Sequence, residues 1–206
     1  MGPNQVSTLS FRVAAFEFPG CPTIFVRPGR PFAGFDQNEL NACVNFHKNL
    51  PRAVDKINPF AVIAAESEGP ANDNRDYVPI LRNTFNELST VTNHPIRILL
   101  GTGPQLSEPA PSCLASHPNN IKLCNFSYTP GSVFGTALAV DQAAISGASV
   151  HLIATYKWIC LNEVCPVVIG NIDVYGDADH LTIAMSKFLS VLLEKSLTTV
   201  LNIPVS

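Results

Sequence analysis

Apolar runs and helical spacings alternate along this chain of 206 residues. Leu9 to Phe18 is mostly apolar and β-prone, and Pro19-Gly20-Cys21-Pro22 stops it, which predicts a buried strand followed by a turn. Residues 22–36 are rich in proline and glycine and read as a loop. From Asp36, a plausible N-cap by its residue type, Leu40, Cys43, Val44, Phe46, His47, Leu50 and Val54 recur at helical spacing. Pro59 to Ala65 is a short unbroken apolar run, the form of a strand covered on both faces, with Glu66-Ser67-Glu68-Gly69 at its carboxyl end. A second helix is expected over 73–91 through Tyr77, Ile80, Leu81, Phe85 and Leu88, then a buried strand from Ile96 to Leu100 halted at Gly101. Residues 101–131, rich in Pro, Ser and Asn, read as a long irregular segment of the kind that is stapled or functional. A helix over 132–146 stopped by Gly147, a strand over 150–155 and a last helix over about 180–197 complete the pattern. Strand and helix signals in alternation predict an α/β fold: one domain over 1–206, a parallel sheet with helices on both faces, and sites gathered at the carboxyl ends of its strands.

Composition narrows the class. With 46% hydrophobic residues the chain can bury a single substantial core, and a formal net charge of −3 leaves no basic field for nucleic acid. Gly101-x-Gly103 lacks the third glycine of a dinucleotide fingerprint, so no cofactor is implied. The six cysteines at 21, 43, 113, 124, 160 and 165 allow fifteen pairings. Pairing each with its nearest neighbour is favoured, because every such pair brackets a Pro-, Asn- or charge-rich stretch that needs a staple. The longest of these loops would contribute roughly 3 kcal/mol and the shortest roughly 2. The alternatives are buried thiols, or a zinc site from Cys113, His117 and Cys124, although that spacing fits no zinc finger. Disulfides imply an oxidising compartment, whereas the first residues show no export signal and no stretch approaches the ~20 apolar residues of a membrane span. The simplest reconciliation is that the chain is one piece of a longer, exported or membrane-anchored protein.

The candidate chemistry lies near the end, in Val174-Tyr-Gly-Asp177-Ala-Asp179-His180-Leu-Thr182. A carboxylate three residues before a histidine can turn back onto its Nδ1–H, fixing the tautomer and making Nε2 a general base. Asp177 has that offset. The competing reading makes His180 a helix-start residue with Asp179 as its N-cap. Ser67 stands at the right sheet edge for a nucleophile but lacks the strained elbow that activates such serines. His47, His94, His151 and Trp158 read as packing or surface residues.

This block, together with Trp158 to Gly170, Pro111 to Pro118 with Cys124, and Gly20-Cys21-Pro22 with Cys43, resembles the SGNH domains of bacterial cell-surface acyltransferases, which follow a membrane acyltransferase family 3 unit. The resemblance implies a flavodoxin-like, SGNH hydrolase-like three-layer sandwich, with Asp177 and His180 as acid and base of a Ser-His-Asp triad. It implies O-acyl transfer to, or ester hydrolysis on, cell-envelope carbohydrate at the extracytoplasmic face, with the upstream membrane polypeptide as a partner. Gly20 matches the glycine that lends a backbone N–H to the oxyanion hole. Two features depart from the family pattern. No Gly-Asp-Ser occurs anywhere, so the first strand with its serine is absent from this chain, and Glu66-Ser67-Glu68 stands where a Gly-x-Asn would supply an oxyanion asparagine. The alternative function is a catalytically inactive relic of the fold that binds glycan.

Overall fold

The computed structural model describes residues 12–16, 21, 36–65 and 77–203. Helix α1, Gln37–Ile57, begins in a reciprocal cap: the Asp36 carboxylate accepts the N–H groups of Asn38 and Glu39 at 2.7 and 2.9 Å, and the Glu39 carboxylate accepts that of Asp36 at 2.8 Å. Asn58, left-handed at φ 54°, ends it. Then come β1 (Ala61–Ala65), α2 (Tyr77–Ser89), β2 (Ile96–Leu100), α3 (Ala110–Ser116), β3 (Phe126–Ser127) and α4 (Val133–Ile145). The chain continues through β4 (Val150–Ile153), β5 (Val164–Cys165), β6 (Val168–Ile169), β7 (Ile172–Asp173) and α5 (Ile183–Val200).

β1, β2 and β4 form a parallel sheet in that order. Alternation along each strand divides its side chains between two cores. Val62, Ala64, Leu99, Val150 and Leu152 face one side, where α1 contributes Val54, α2 contributes Leu81, Phe85 and Leu88, and α4 contributes Ala144. Ala61, Ile96, Ile98, Leu100 and Ile153 face the other, under Leu197, Val200 and Leu201 from the end of α5. Arg82 of α2 donates to the carbonyls of Ala143, Ala144 and Ser146, satisfying the last turn of α4 and locking the two helices together.

The structure corrects five expectations. Residues 12–16, expected within a buried strand, are exposed and belong to no strand. Topology supplies a reason. Parallel crossovers are right-handed, and α1, α2 and α4 share one face, so each step over that face moves in the same direction across the sheet. A strand preceding α1 therefore belongs on the side of β1 away from β2, and no described residue forms a strand there. β1 itself, expected to be covered on both faces, is not: Ile63 is 45% exposed although its register partner Ile98 is fully buried. The segment 101–131 is not irregular throughout, since it holds α3, a 3₁₀ turn at Ile121–Cys124 and β3, which pairs with β5. The last helix starts at Ile183 with the Thr182 hydroxyl as its cap, so neither Asp179 nor His180 caps it. The strand expected over 150–155 ends at Ile153, and Thr155–Trp158 forms a 3₁₀ turn.

All six cysteines are paired, Cys21–Cys43, Cys113–Cys124 and Cys160–Cys165, so the sulfurs once available to a zinc site are spent. The second and third bonds border a core beside the sheet, built on Ile159, Val167, Val174, Tyr175, Met185 and Leu189. No helix among the described residues is long and apolar enough to cross a membrane.

One buried charge holds the carboxyl end of β2. Asp141 of α4 is buried and accepts the N–H of Thr102 at 2.8 Å, while the Thr102 hydroxyl, buried against the same carboxylate, reaches hydrogen-bond geometry with no group. Burial raises the Asp141 pKa above the ordinary carboxylate value, against the lowering by the Thr102 amide. A carboxyl group with a raised native pKa stabilises the fold fully below its unfolded value and less as pH climbs through the native one. Asp141→Asn keeps the acceptor, removes the charge and offers Thr102 a donor. Thermal melts should show the variant more stable at neutral pH by roughly 1 kcal/mol, with the gain vanishing in acid. A gain independent of pH, or none, would contradict this account of Asp141.

Candidate functional site

Residues 174–182 form a closed loop on the second core. Tyr175 and Leu181 make a β-bridge, the Gly176 N–H donates to His180 O at 2.8 Å, and the Thr182 N–H donates to Val174 O at 3.0 Å. Buried Val174 and Tyr175 anchor its base, and the Thr182 hydroxyl fastens its far end by donating to Asp173 O at 2.6 Å while accepting the Met185 N–H. Within the loop, Asp177 Oδ1 accepts the N–H groups of Asp179 and His180 at 3.0 and 2.7 Å. Its other oxygen, Oδ2, lies 2.8 Å from His180 Nδ1. A short polar side chain that bonds the backbone two and three residues on is a turn former, and here the turn also delivers the ring.

The electrostatics follow from these bonds. The Asp179 and His180 amides, then the His180 ring, hold the Asp177 carboxyl well below the usual carboxylate range. Asp177 in turn, aided by the Asp179 charge, raises the His180 pKa above its ordinary value. Asp179 approaches the same nitrogen at 3.2 Å, longer than Asp177, so both carboxylates flank Nδ1 and Asp177 makes the stronger bond. With Nδ1–H donating to Asp177, Nε2 is the nitrogen left to take a proton, and the histidine side chain is 74% exposed. Asp177, Asp179 and His180 also bring three potential metal-ligand atoms within 4.8 Å of one another.

The loop sits at the carboxyl edge of the parallel sheet. The segment leaving β2 passes beneath it, with the Leu106 N–H donating to Ala178 O at 2.7 Å and the Ala110 N–H to Asp177 O at 3.1 Å. A cavity of about 310 Å³ opens beside that segment, lined by Leu106, Glu108, Ala110, Phe126 and the Cys113–Cys124 pair among others.

Of the residues singled out in the sequence, Asp177 and His180 are brought together. Gly20 and Glu66 to Gly69, Ser67 included, lie outside the described residues. His47 is buried in α1 beside Cys21 Sγ at 3.7 Å, His94 turns its ring to Ser89 O, His151 is exposed on β4, and Trp158 packs between the two cores beneath α5. Sequence reasoning passed over the supports of the loop, Leu106 and Ala110, whose contribution is a backbone N–H and leaves no residue-type signal. It also passed over Asp141, which could have been noticed as the one acid in the apolar run of α4.

Comparison with solved structures agrees with this architecture. The chain is similar to the periplasmic domain of the lipopolysaccharide acetyltransferase of Salmonella ser. Paratyphi A, at TM-score 0.66 and 16% identity, over 86% of this chain and 69% of that one. A second similarity is to Est24, a carbohydrate acetylesterase from Sinorhizobium meliloti, at TM-score 0.46 and 15% identity, over 86% and 74%. No curated protein sequence matches the chain. The fold is thus the three-layer α/β architecture expected from the resemblance, with a parallel sheet between helical layers. Residues 6–195 match the family described as the SGNH domain fused to AT3 domains, and the chain belongs to that family.

Proposed function

We propose that this domain supplies the general base and its orienting acid for O-acyl transfer to, or O-acyl removal from, a carbohydrate of the cell envelope. One observation carries the reading: Asp177 holds His180 by Nδ1 at 2.8 Å and leaves Nε2 open on an exposed ring at the sheet's carboxyl edge. In the reaction, Nε2 takes the proton of a serine hydroxyl as its oxygen attacks the acyl carbonyl, and returns that proton to the departing oxygen. The acyl-serine then passes its acyl group to a carbohydrate hydroxyl or to water, with His180 accepting the proton of that hydroxyl or water and delivering it to the serine oxygen as it leaves. Asp177 stays ionised throughout and stabilises the imidazolium. The serine comes from a polypeptide segment outside these 206 residues, since no Gly-Asp-Ser is present in the chain. Disulfides, family membership with AT3-fused domains and the fold shared with a periplasmic domain support a place on the extracytoplasmic side, beside a membrane acyltransferase unit.

The test is hydrolysis of a small acetyl ester by this chain assembled with the segment that carries the serine. His180→Ala should lower kcat/KM by roughly 10³-fold or more, the scale seen for triad members. A variant that turns over normally would remove His180 from the mechanism. Unchanged binding of a cell-wall glycan by that variant, with no hydrolysis by either protein, would instead favour an inactive binding module.

The pH profile tests Asp177 separately. His180 must be neutral to act as a base, so activity should rise as pH passes its raised pKa. Asp177→Asn takes away the largest cause of that rise, so the acid limb should move to lower pH while the plateau falls, by roughly 10⁴-fold in the strongest case. A plateau loss with the limb unmoved would assign Asp177 to the backbone turn alone.

A further inference from the structure

We infer that the cavity beside the segment leaving β2 is a subsite for one neutral sugar ring of the carbohydrate, a ring next to the one that carries or receives the acyl group. This rests on the reading that the domain acts on carbohydrate. The position, the lining and the size of the cavity converge on it.

Leu106 and Ala110 line the cavity, and the same two residues donate their N–H groups to Ala178 O at 2.7 Å and Asp177 O at 3.1 Å. One stretch of chain thus serves both as cavity wall and as support of the loop that holds His180. Whatever the cavity holds is placed in register with that loop, as a sugar next to the reacting one must be.

The lining has the mixed character that a sugar needs. Ser107, Glu108, Asn125 and Ser127 supply its polar groups. Asn125 Oδ1 accepts the Val167 N–H at 3.4 Å, and its NH2 group bonds to no described residue. The side chains of Ser107, Glu108 and Ser127 likewise make no hydrogen bond among the described residues. A carboxylate that only accepts, an amide that donates and two hydroxyls that do either are the complement of ring hydroxyls. Phe126 supplies the apolar part. The C–H groups on one face of a sugar ring are weakly positive and the face of an aromatic ring weakly negative, so the two pack together. Phe126 is fixed before any ligand arrives: β3 pairs it with buried Cys165, its ring meets Phe134 edge-on at 5.9 Å, and it stacks with Tyr128 at 6.4 Å. The Cys113–Cys124 bond staples another part of the wall.

Other occupants fit less well. An acyl chain calls for a continuous apolar lining, which the four polar residues interrupt. A sugar bearing a carboxylate or phosphate meets Glu108, the one charged residue of the lining, as a like charge. A volume of about 310 Å³ is at the small end of ligand cavities, room for one ring and not for a nucleotide-bearing acyl donor.

The probe is a set of neutral trisaccharides of glucose, galactose, mannose, rhamnose or N-acetylglucosamine, titrated into the oxidised full chain and followed by amide NMR. At least one should shift the amides of residues 106–108 and 123–127 and leave those of α1 unmoved, with a Kd on the order of 1 mM. Glu108→Ala and Phe126→Ala should each weaken that binding by about tenfold. Glu108 is exposed, so its variant tests the subsite without threatening the fold. No shift at these amides with any of the sugars overturns the proposal, and so does binding that Glu108→Ala leaves unchanged. Sodium octanoate shifting the same amides, where the sugars do not, would give the cavity to an acyl chain instead. The titration needs neither the serine nor turnover. Sugar binding by a chain whose assembled form hydrolyses no ester therefore keeps the subsite and defeats the catalytic reading, whereas hydrolysis that depends on His180, without sugar binding, does the reverse.

Discussion

The Asp177 carboxylate takes hydrogen bonds from the Asp179 amide, the His180 amide and the His180 ring at the same time, and the arrangement of residues 174–182 depends on it. An ionised acceptor with three donors makes the bonds that folding rewards most, and it makes them within four consecutive residues, where little chain entropy is lost in closing the loop. Long-range contacts then add position rather than shape. The Leu106 and Ala110 amides grip the loop from beneath, and Tyr175 fixes it to the core through its buried ring. The hydroxyl of that tyrosine is buried without a partner, and burial raises its pKa further, so Tyr175 acts here as an apolar wedge.

That division explains what could be read in the sequence. The Asp177–His180 contact was legible because it is local: an offset of three residues is sufficient to predict it. The same holds for the Asp36 cap, for β2 between Ile96 and Leu100, and for the pairing of neighbouring cysteines. Features set by distant partners were not legible. Arg12 to Phe16 has a strand's composition, but a strand also requires an adjacent ladder, which composition cannot report. α3 escaped notice because seven residues flanked by prolines carry no helical period, and it is held to the Ile121–Cys124 turn by a disulfide. The start of α5 was misplaced because Asp179 and Thr182 are both good caps by type, and the carboxylate of Asp177 had already committed the backbone at 179 and 180 to a turn.

The sheet is covered unequally. On one face α1, α2 and α4 bury Val62, Ala64, Leu99 and Val150 in a continuous core. On the other the end of α5 shelters Ile98 and Ile153 and stops short of Ile63. Parallel strands are stable where both faces are sealed, so β1 is the weakest strand of the three by this criterion. The second core, with its two small antiparallel sheets and two crosslinks, is independent of that deficiency, and it is the part that carries the acid–base pair.

The crosslinks join the first cysteine to the second, the third to the fourth and the fifth to the sixth, so none encloses or crosses another. For a chain threaded through a membrane amino end first, this order has a kinetic meaning. An oxidant that couples each newly emerged thiol to the one still waiting makes every native bond at its first attempt. No wrong bond then needs to be broken, and the slow reshuffling that limits many exported proteins has no step to govern. Maturation would proceed as fast as translocation delivers the cysteines, with a disulfide isomerase dispensable and a simple thiol oxidase sufficient.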